Sequence, residues 1–122
     1  MNAKIEPSAE AVRLVLNAYE AGDQPGRALE KAAVKHLLNL LTALAPGKSV
    51  EVRIPPYAAV QCVEGTRHTR GTPPNVVETD ARTWIQLATG ALQWSEAVAD
   101  GRVRATGTRA DLSELLSILL TT

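Results

Sequence analysis

Between Leu44 and Val50 the spacing of apolar residues changes from a helical to an extended repeat, and this change constrains the fold more than any other feature of the chain. Before it, Ala11, Val12, Val15, Leu16 and Tyr19, then Leu37, Leu40, Leu41 and Leu44, recur at the i, i+3, i+4 spacing of amphipathic helices. Gly22 and Pro25-Gly26 separate the two runs, so they predict a helical hairpin whose second arm spans about 27–44. After Pro46-Gly47, Val50, Val52 and Ile54 alternate with Glu51 and Arg53, the period of two expected of a strand with one buried face. A chain that opens with two helices and continues in short strands has to lay a helical layer on a sheet to bury both apolar faces.

Further strands are read at 57–63, 67–70, 75–79 and 102–106, which with 49–54 makes a mainly five-stranded, mostly antiparallel sheet. Asp80 is placed to cap a helix over 81–89 that Gly90 stops, and further helices are read over 92–100 and 110–120. The last carries Leu112, Leu115, Leu116, Ile118, Leu119 and Leu120, more apolar surface than one helix face needs. The fold class is therefore α/β in the α+β sense, as a single domain over 1–122. The 122 residues suit one core, and 19 Ala, 15 Leu, 11 Val and 4 Ile are enough to build it without disulfides or metal.

Several function classes are disfavoured by composition. Thirteen basic residues balance thirteen acidic ones, so the net field that nucleic-acid or anionic-membrane binding usually exploits is absent. There is no Phe, and four aromatic residues are too few for a base-stacking platform. No apolar run approaches the roughly 18 residues of a membrane span, and the start lacks a signal-peptide core. The single Cys62 can form neither an intrachain bridge nor a cysteine zinc site, which points to a reducing, cytoplasmic setting. No stable membrane insertion is expected.

No catalytic constellation, cofactor motif or metal site emerges. His36 has no carboxylate or second His at i+4, and Cys62 shares its strand face with Ala58 and Val60, as a packed thiol would. The densest polar group is Arg67, His68, Arg70, Thr72, Asn75 and Glu78. Two Arg and a His can hold a carboxylate or phosphate headgroup. The same residues can instead be structural, with Arg53 or Arg70 pairing Glu78 or Glu51 across adjacent strands.

Asp80-Ala-Arg-Thr-Trp-Ile-Gln-Leu-Ala-Thr-Gly90, followed by Trp94-Ser-Glu-Ala-Val-Ala-Asp-Gly101-Arg-Val-Arg-Ala-Thr-Gly107 and a Leu-rich end, resembles the C-terminal half of the sterol carrier protein-2 family. The middle, Arg53-Ile-Pro-Pro-Tyr-Ala-Ala-Val-Gln with His68-Thr-Arg-Gly-Thr-Pro-Pro-Asn-Val-Val-Glu78, is similar to its actinobacterial sterol-carrier-like branch. The resemblance implies a sheet covered by helices on one side, an apolar tunnel, and binding or transfer of an acyl chain or sterol-like lipid without catalysis. Trp84, Trp94, Leu112, Leu116 and Leu119 are then the expected lining, and Arg53, Arg67, His68, Arg70 and Glu78 a polar network or headgroup site. A related fold occurs as the C-terminal domain of mycothiol-dependent maleylpyruvate isomerases, so an enzyme-assisting role stands as an alternative. The apolar final helix can close a tunnel, form a homodimer interface or contact a protein partner.

Overall fold

The structure is a computed structural model that describes residues 7–65 and 75–121. Helix α1 (Pro7–Glu20) and helix α2 (Arg27–Leu44) form the expected hairpin. Gly22, at φ +77°, ends α1: its N–H bonds Tyr19 O at 3.1 Å and the Asp23 N–H reaches Ala18 O at 2.8 Å, which satisfies the last carbonyls of the helix. Strands β1 (Val50–Ile54), β2 (Ala58–Cys62), β3 (Asn75–Thr79) and β4 (Val103–Thr106) make one sheet in the order β2-β1-β3-β4. β2 pairs with β1 and β4 with β3 antiparallel, while the central β1–β3 pair is parallel.

The sheet has four strands among the described residues, which corrects the expected five. Val63 shows why β2 ends at Cys62: its φ is +65°, and its N–H donates to Ala45 O at 2.7 Å instead of to a neighbouring strand. The segment 67–70 that was read as a further strand lies outside the described residues. The loop after α2 closes against this same turn, with Ser49 donating through N and Oγ to Val63 O at 3.0 and 2.7 Å. Gly47, at φ +151°, passes so near that a Cβ built on it would fall 2.2 Å from Val63 C and O.

Helix α3 (Ala81–Thr89) begins as expected at Asp80, whose carboxylate accepts from Thr83 N at 2.8 Å and from Thr83 Oγ1 at 3.0 Å. Helix α4 (Trp94–Ala99) and helix α5 (Ser113–Leu119) are shorter than expected. Gln93 is extended, so α4 starts only at Trp94. Asp111 accepts from Ser113 N at 2.9 Å in a local turn that competes with helix, so α5 starts at Ser113 although Ala110 and Leu112 are buried ahead of it.

Alternation along the strands sends Val50, Val52, Ile54, Val60, Cys62 and Val77 to the helical side, where they join Val34, Leu38, Leu41, Trp84, Ile85 and Leu112 in one core. Trp84 is 1% exposed and donates from Nε1 to Val34 O at 3.3 Å, which ties α3 to α2. The buried Asn75 links three segments, donating to Ser49 O at 2.8 Å and accepting from Arg109 N at 2.9 Å. The opposite face of the sheet is polar. Across it Ala59, Arg53, Glu78 and Arg104 stand side by side in register, beside a second row of Gln61, Glu51, Val76 and Thr106.

Candidate functional site

Two clefts lie at opposite ends of α3, separated by its nine residues or about 12 Å of helix. At the C-terminal end, Leu87, Leu92, Trp94, Leu116 and Leu120, together with Gln93, Ser113 and Ser117, line a narrow cleft of about 70 Å³ between α3, α4 and α5. That is room for roughly two waters, well under the roughly 300–1,000 Å³ of ordinary ligand pockets. Gly90 lets the cleft close, because a Cβ there would lie 3.2 Å from a Leu120 methyl. Of the lining expected from the sequence, Trp94 and Leu116 border this cleft, whereas Trp84, Leu112 and Leu119 are buried in the core.

At the N-terminal end of α3, the α1–α2 turn, the β1–β2 turn and Asp80–Arg82 enclose a cleft of about 340 Å³. Its floor is built by long-range pairing. Tyr19 from α1 donates its hydroxyl to Glu30 Oε2 at 2.5 Å, and Tyr57 from the β1–β2 turn donates to Glu30 Oε1 at 2.9 Å. Burial, then the bond to Glu30, pushes the Tyr19 phenol well above its ordinary pKa, and the same two causes raise Tyr57. Both hydroxyls therefore remain protonated donors at neutral pH. The Arg82 guanidinium lies over the Tyr19 ring, 4.8 Å from its centroid. A neighbouring groove of about 360 Å³, bordered by Leu16, Gln86 and Ala91, shares Tyr19 and Arg82 with this cleft.

The sequence does not announce this second cleft. Tyr19, Glu30 and Tyr57 are 11 and 27 residues apart, and no local spacing connects them. The only hint is that half of the chain's four aromatic residues lie here.

The polar group singled out in the sequence is brought together in part. Arg53 pairs with Glu51 on its own strand and lies 4.0 Å from Glu78, which is also 3.6 Å from Arg104. These groups sit on the open face of the sheet beside a shallow hollow that Pro55, Pro56 and Tyr57 border. Arg67, His68 and Arg70 lie outside the described residues. Cys62 is fully buried, and burial pushes its thiol up to about 11, which makes it a poor nucleophile at neutral pH. His36 is half-buried, with Nδ1 3.2 Å from Ser8 Oγ. Among the described residues no group of His, Cys, Asp and Glu could hold a metal ion, and no helix is long and apolar enough to cross a membrane.

The chain is thus a helix-covered sheet with a narrow cleft beside its last helix and hydrogen-bonded polar groups at its turns. Residues 26–118 match the family described as bacterial SCP ortholog, and the chain belongs to that family. Membership places it among sterol-carrier-like proteins, a group associated in general with lipid binding or transfer and typically non-catalytic. A search of curated proteins returned no match.

Proposed function

We propose that the protein carries a single apolar chain, an acyl chain or a sterol-like ligand, in the cytoplasm, and that the chain enters beneath α5. The observation that supports this most is the cleft between Trp94 and Leu116, where Leu87, Leu92, Leu116 and Leu120 converge from α3, α4 and α5 and the turns beside them. The cleft measures about 70 Å³, so on this reading loading requires α5 to move outward. A seven-residue helix has little stability of its own and is held by Leu112, Leu116 and Leu119, so such movement is a matter of side-chain burial. Uncovering Leu116 and Leu119 costs about 1.5–3 kcal/mol each, and each buried methylene returns about 0.8 kcal/mol. Roughly four to eight methylenes therefore break even before the cost of association, and useful affinity demands a longer chain.

The test is native mass spectrometry of protein purified from its own cells, then titration with fatty acids of eight to eighteen carbons while Trp emission is followed. A co-purifying lipid, a response that begins only with the longer chains, and its loss in Leu116→Trp, which fills the cleft, are expected. If no lipid co-purifies and no chain length alters the emission, the carrier reading falls. The exposed Ile118 and Leu120 then turn attention to contact with another protein.

A further inference from the structure

We propose that the cleft at the N-terminal end of α3 binds a small organic cation of the alkylammonium class. This site is distinct from the cleft beside α5 and does not rest on the lipid reading. Its volume of about 340 Å³ lies within the range of small-ligand pockets. The walls combine carbon and negative charge. Pro25, Pro55, Pro56 and the two phenol rings supply weakly hydrated surface, and Asp23, Glu30 and Asp80 supply carboxylates.

Glu30 is the centre of this arrangement. Each of its oxygens accepts one phenol hydroxyl and keeps a further lone pair, and no ion pair among the described residues neutralises it or Asp23. Hydrogen bonds to a carboxylate hold both rings in place and enrich their π density, which strengthens attraction for a cation on the ring face. Tyr19 already shows that attraction, because its ring carries the Arg82 guanidinium. Tyr57 carries no such cation among the described contacts, and it borders both this cleft and the hollow on the open face of the sheet.

Three carboxylates and one guanidinium, Arg82, line the cleft, while Arg27 and Arg102 act from farther off, within electrostatic reach of Tyr57 and of Asp80. Arg82 stands on the Tyr19 ring and Asp80 caps α3, so Asp23 and Glu30, without an ion pair among the described residues, are the charges a cation meets. The carbon walls favour a methylated or alkylated ammonium over a hard metal ion, which needs a closer set of oxygens than these residues provide.

Titration with tetramethylammonium chloride against sodium chloride at equal ionic strength, read by amide shifts in a ¹H–¹⁵N spectrum, tests the site. A saturable response at residues 19–30, 55–57 and 80–82, with a dissociation constant on the order of 1–10 mM, is expected. Asp23→Asn, at an exposed position that leaves the phenol clamp intact, should weaken binding about threefold or more. Glu30→Gln should weaken it at least tenfold, while Tyr57→Phe, which keeps the ring but loses the bond to Glu30, should weaken it by less than Glu30→Gln does. Dodecyltrimethylammonium below its micelle concentration separates two sources of the same chemistry. A tenfold gain over tetramethylammonium identifies an amphiphile headgroup, and equal affinity identifies a free amine. No saturable shift up to about 100 mM tetramethylammonium, or equal binding by parent, Asp23→Asn and a folded Glu30→Gln, overturns the assignment. The fatty-acid result is unaffected either way.

Discussion

Gly47→Ala probes the junction where the loop after α2 crosses the end of β2. A new Cβ would sit 2.2 Å from the Val63 carbonyl carbon and oxygen and 2.4 Å from Glu64 N. All three are backbone atoms, so no rotamer change relieves the overlap. Shifting the Val63 peptide would disturb its bonds to Ala45 O, Ser49 N and Ser49 Oγ. Overpacking of this kind costs about 1–3 kcal/mol, and an alanine at φ +151° adds roughly 1–3 kcal/mol of backbone strain. With a central loss near 4 kcal/mol and an unfolding entropy of about 0.26 kcal/mol/K for a chain of this length, Tm should fall by about 15 °C. The control is Gly22→Ala, at φ +77° with nothing within 4 Å of the added carbon, where strain alone of about 1–2 kcal/mol should lower Tm by roughly 4–8 °C. Thermal melts followed by circular dichroism, with urea unfolding to check that the m-value is unchanged, make the comparison. If Gly47→Ala melts within 4 °C of the parent, or no lower than Gly22→Ala, the close crossing at Val63 does not constrain the fold as argued.

Asp80→Ala removes the cap of α3 and should cost about 1 kcal/mol, read as a shift in urea midpoint; no shift would mean that the free amides of the first turn are satisfied by water alone. Burial holds the Cys62 thiol at about 11, above the roughly 8.5 of an unfolded chain, so the stability gained by keeping it neutral is complete below about pH 8.5 and is lost as pH rises toward 11. Cys62→Ala should flatten the stability profile over that window, and an unchanged slope would refute the assignment. Tyr19, also raised, continues the decline at higher pH in both proteins. Arg104→Ala should change stability by less than about 1 kcal/mol, because its partner Glu78 and Arg104 itself are both solvent-accessible, and the difference should vanish in 1 M salt. A larger, salt-insensitive loss would show that the ladder on the open face is not ordinary surface charge.

Local rules carried most of the architecture. The period switch at Val50, the cap at Asp80 and the stop at Gly90 each depend on residues within one or two turns, and the structure contains the corresponding elements. The ends of α4 and α5 were overestimated because Leu92 and Leu112 look helical by apolar spacing, yet Gln93 is extended and Asp111 bonds Ser113 in a turn. Apolar spacing cannot weigh a side-chain bond of that kind. The end of β2 was hidden for another reason: a β-branched residue at positive φ, as at Val63, is held by contacts from Ala45 and Ser49 that are 18 and 14 residues away. The cleft at Tyr19, Glu30 and Tyr57 joins three elements through tertiary contact alone. No periodicity encodes it.

The row of charges on the open face also bears on how the strands choose their alignment. Sliding β3 by two residues along its parallel neighbour β1 keeps every side chain on its own face, and the buried side of β1, Val50, Val52 and Ile54, offers aliphatic surface in either alignment. The solvent side tells the alignments apart. In the observed register Arg53 stands beside Glu78. A two-residue slide one way sets Glu51 against Glu78, and the other way leaves Arg53 opposite Val76. Each substitution of a repulsive or neutral pair for an attractive one is worth only about 0.2–1 kcal/mol, too little to matter for global stability. Between two alignments that bury nearly the same carbon, a difference of that size makes one of them about 1.4 to 5 times more populated than the other.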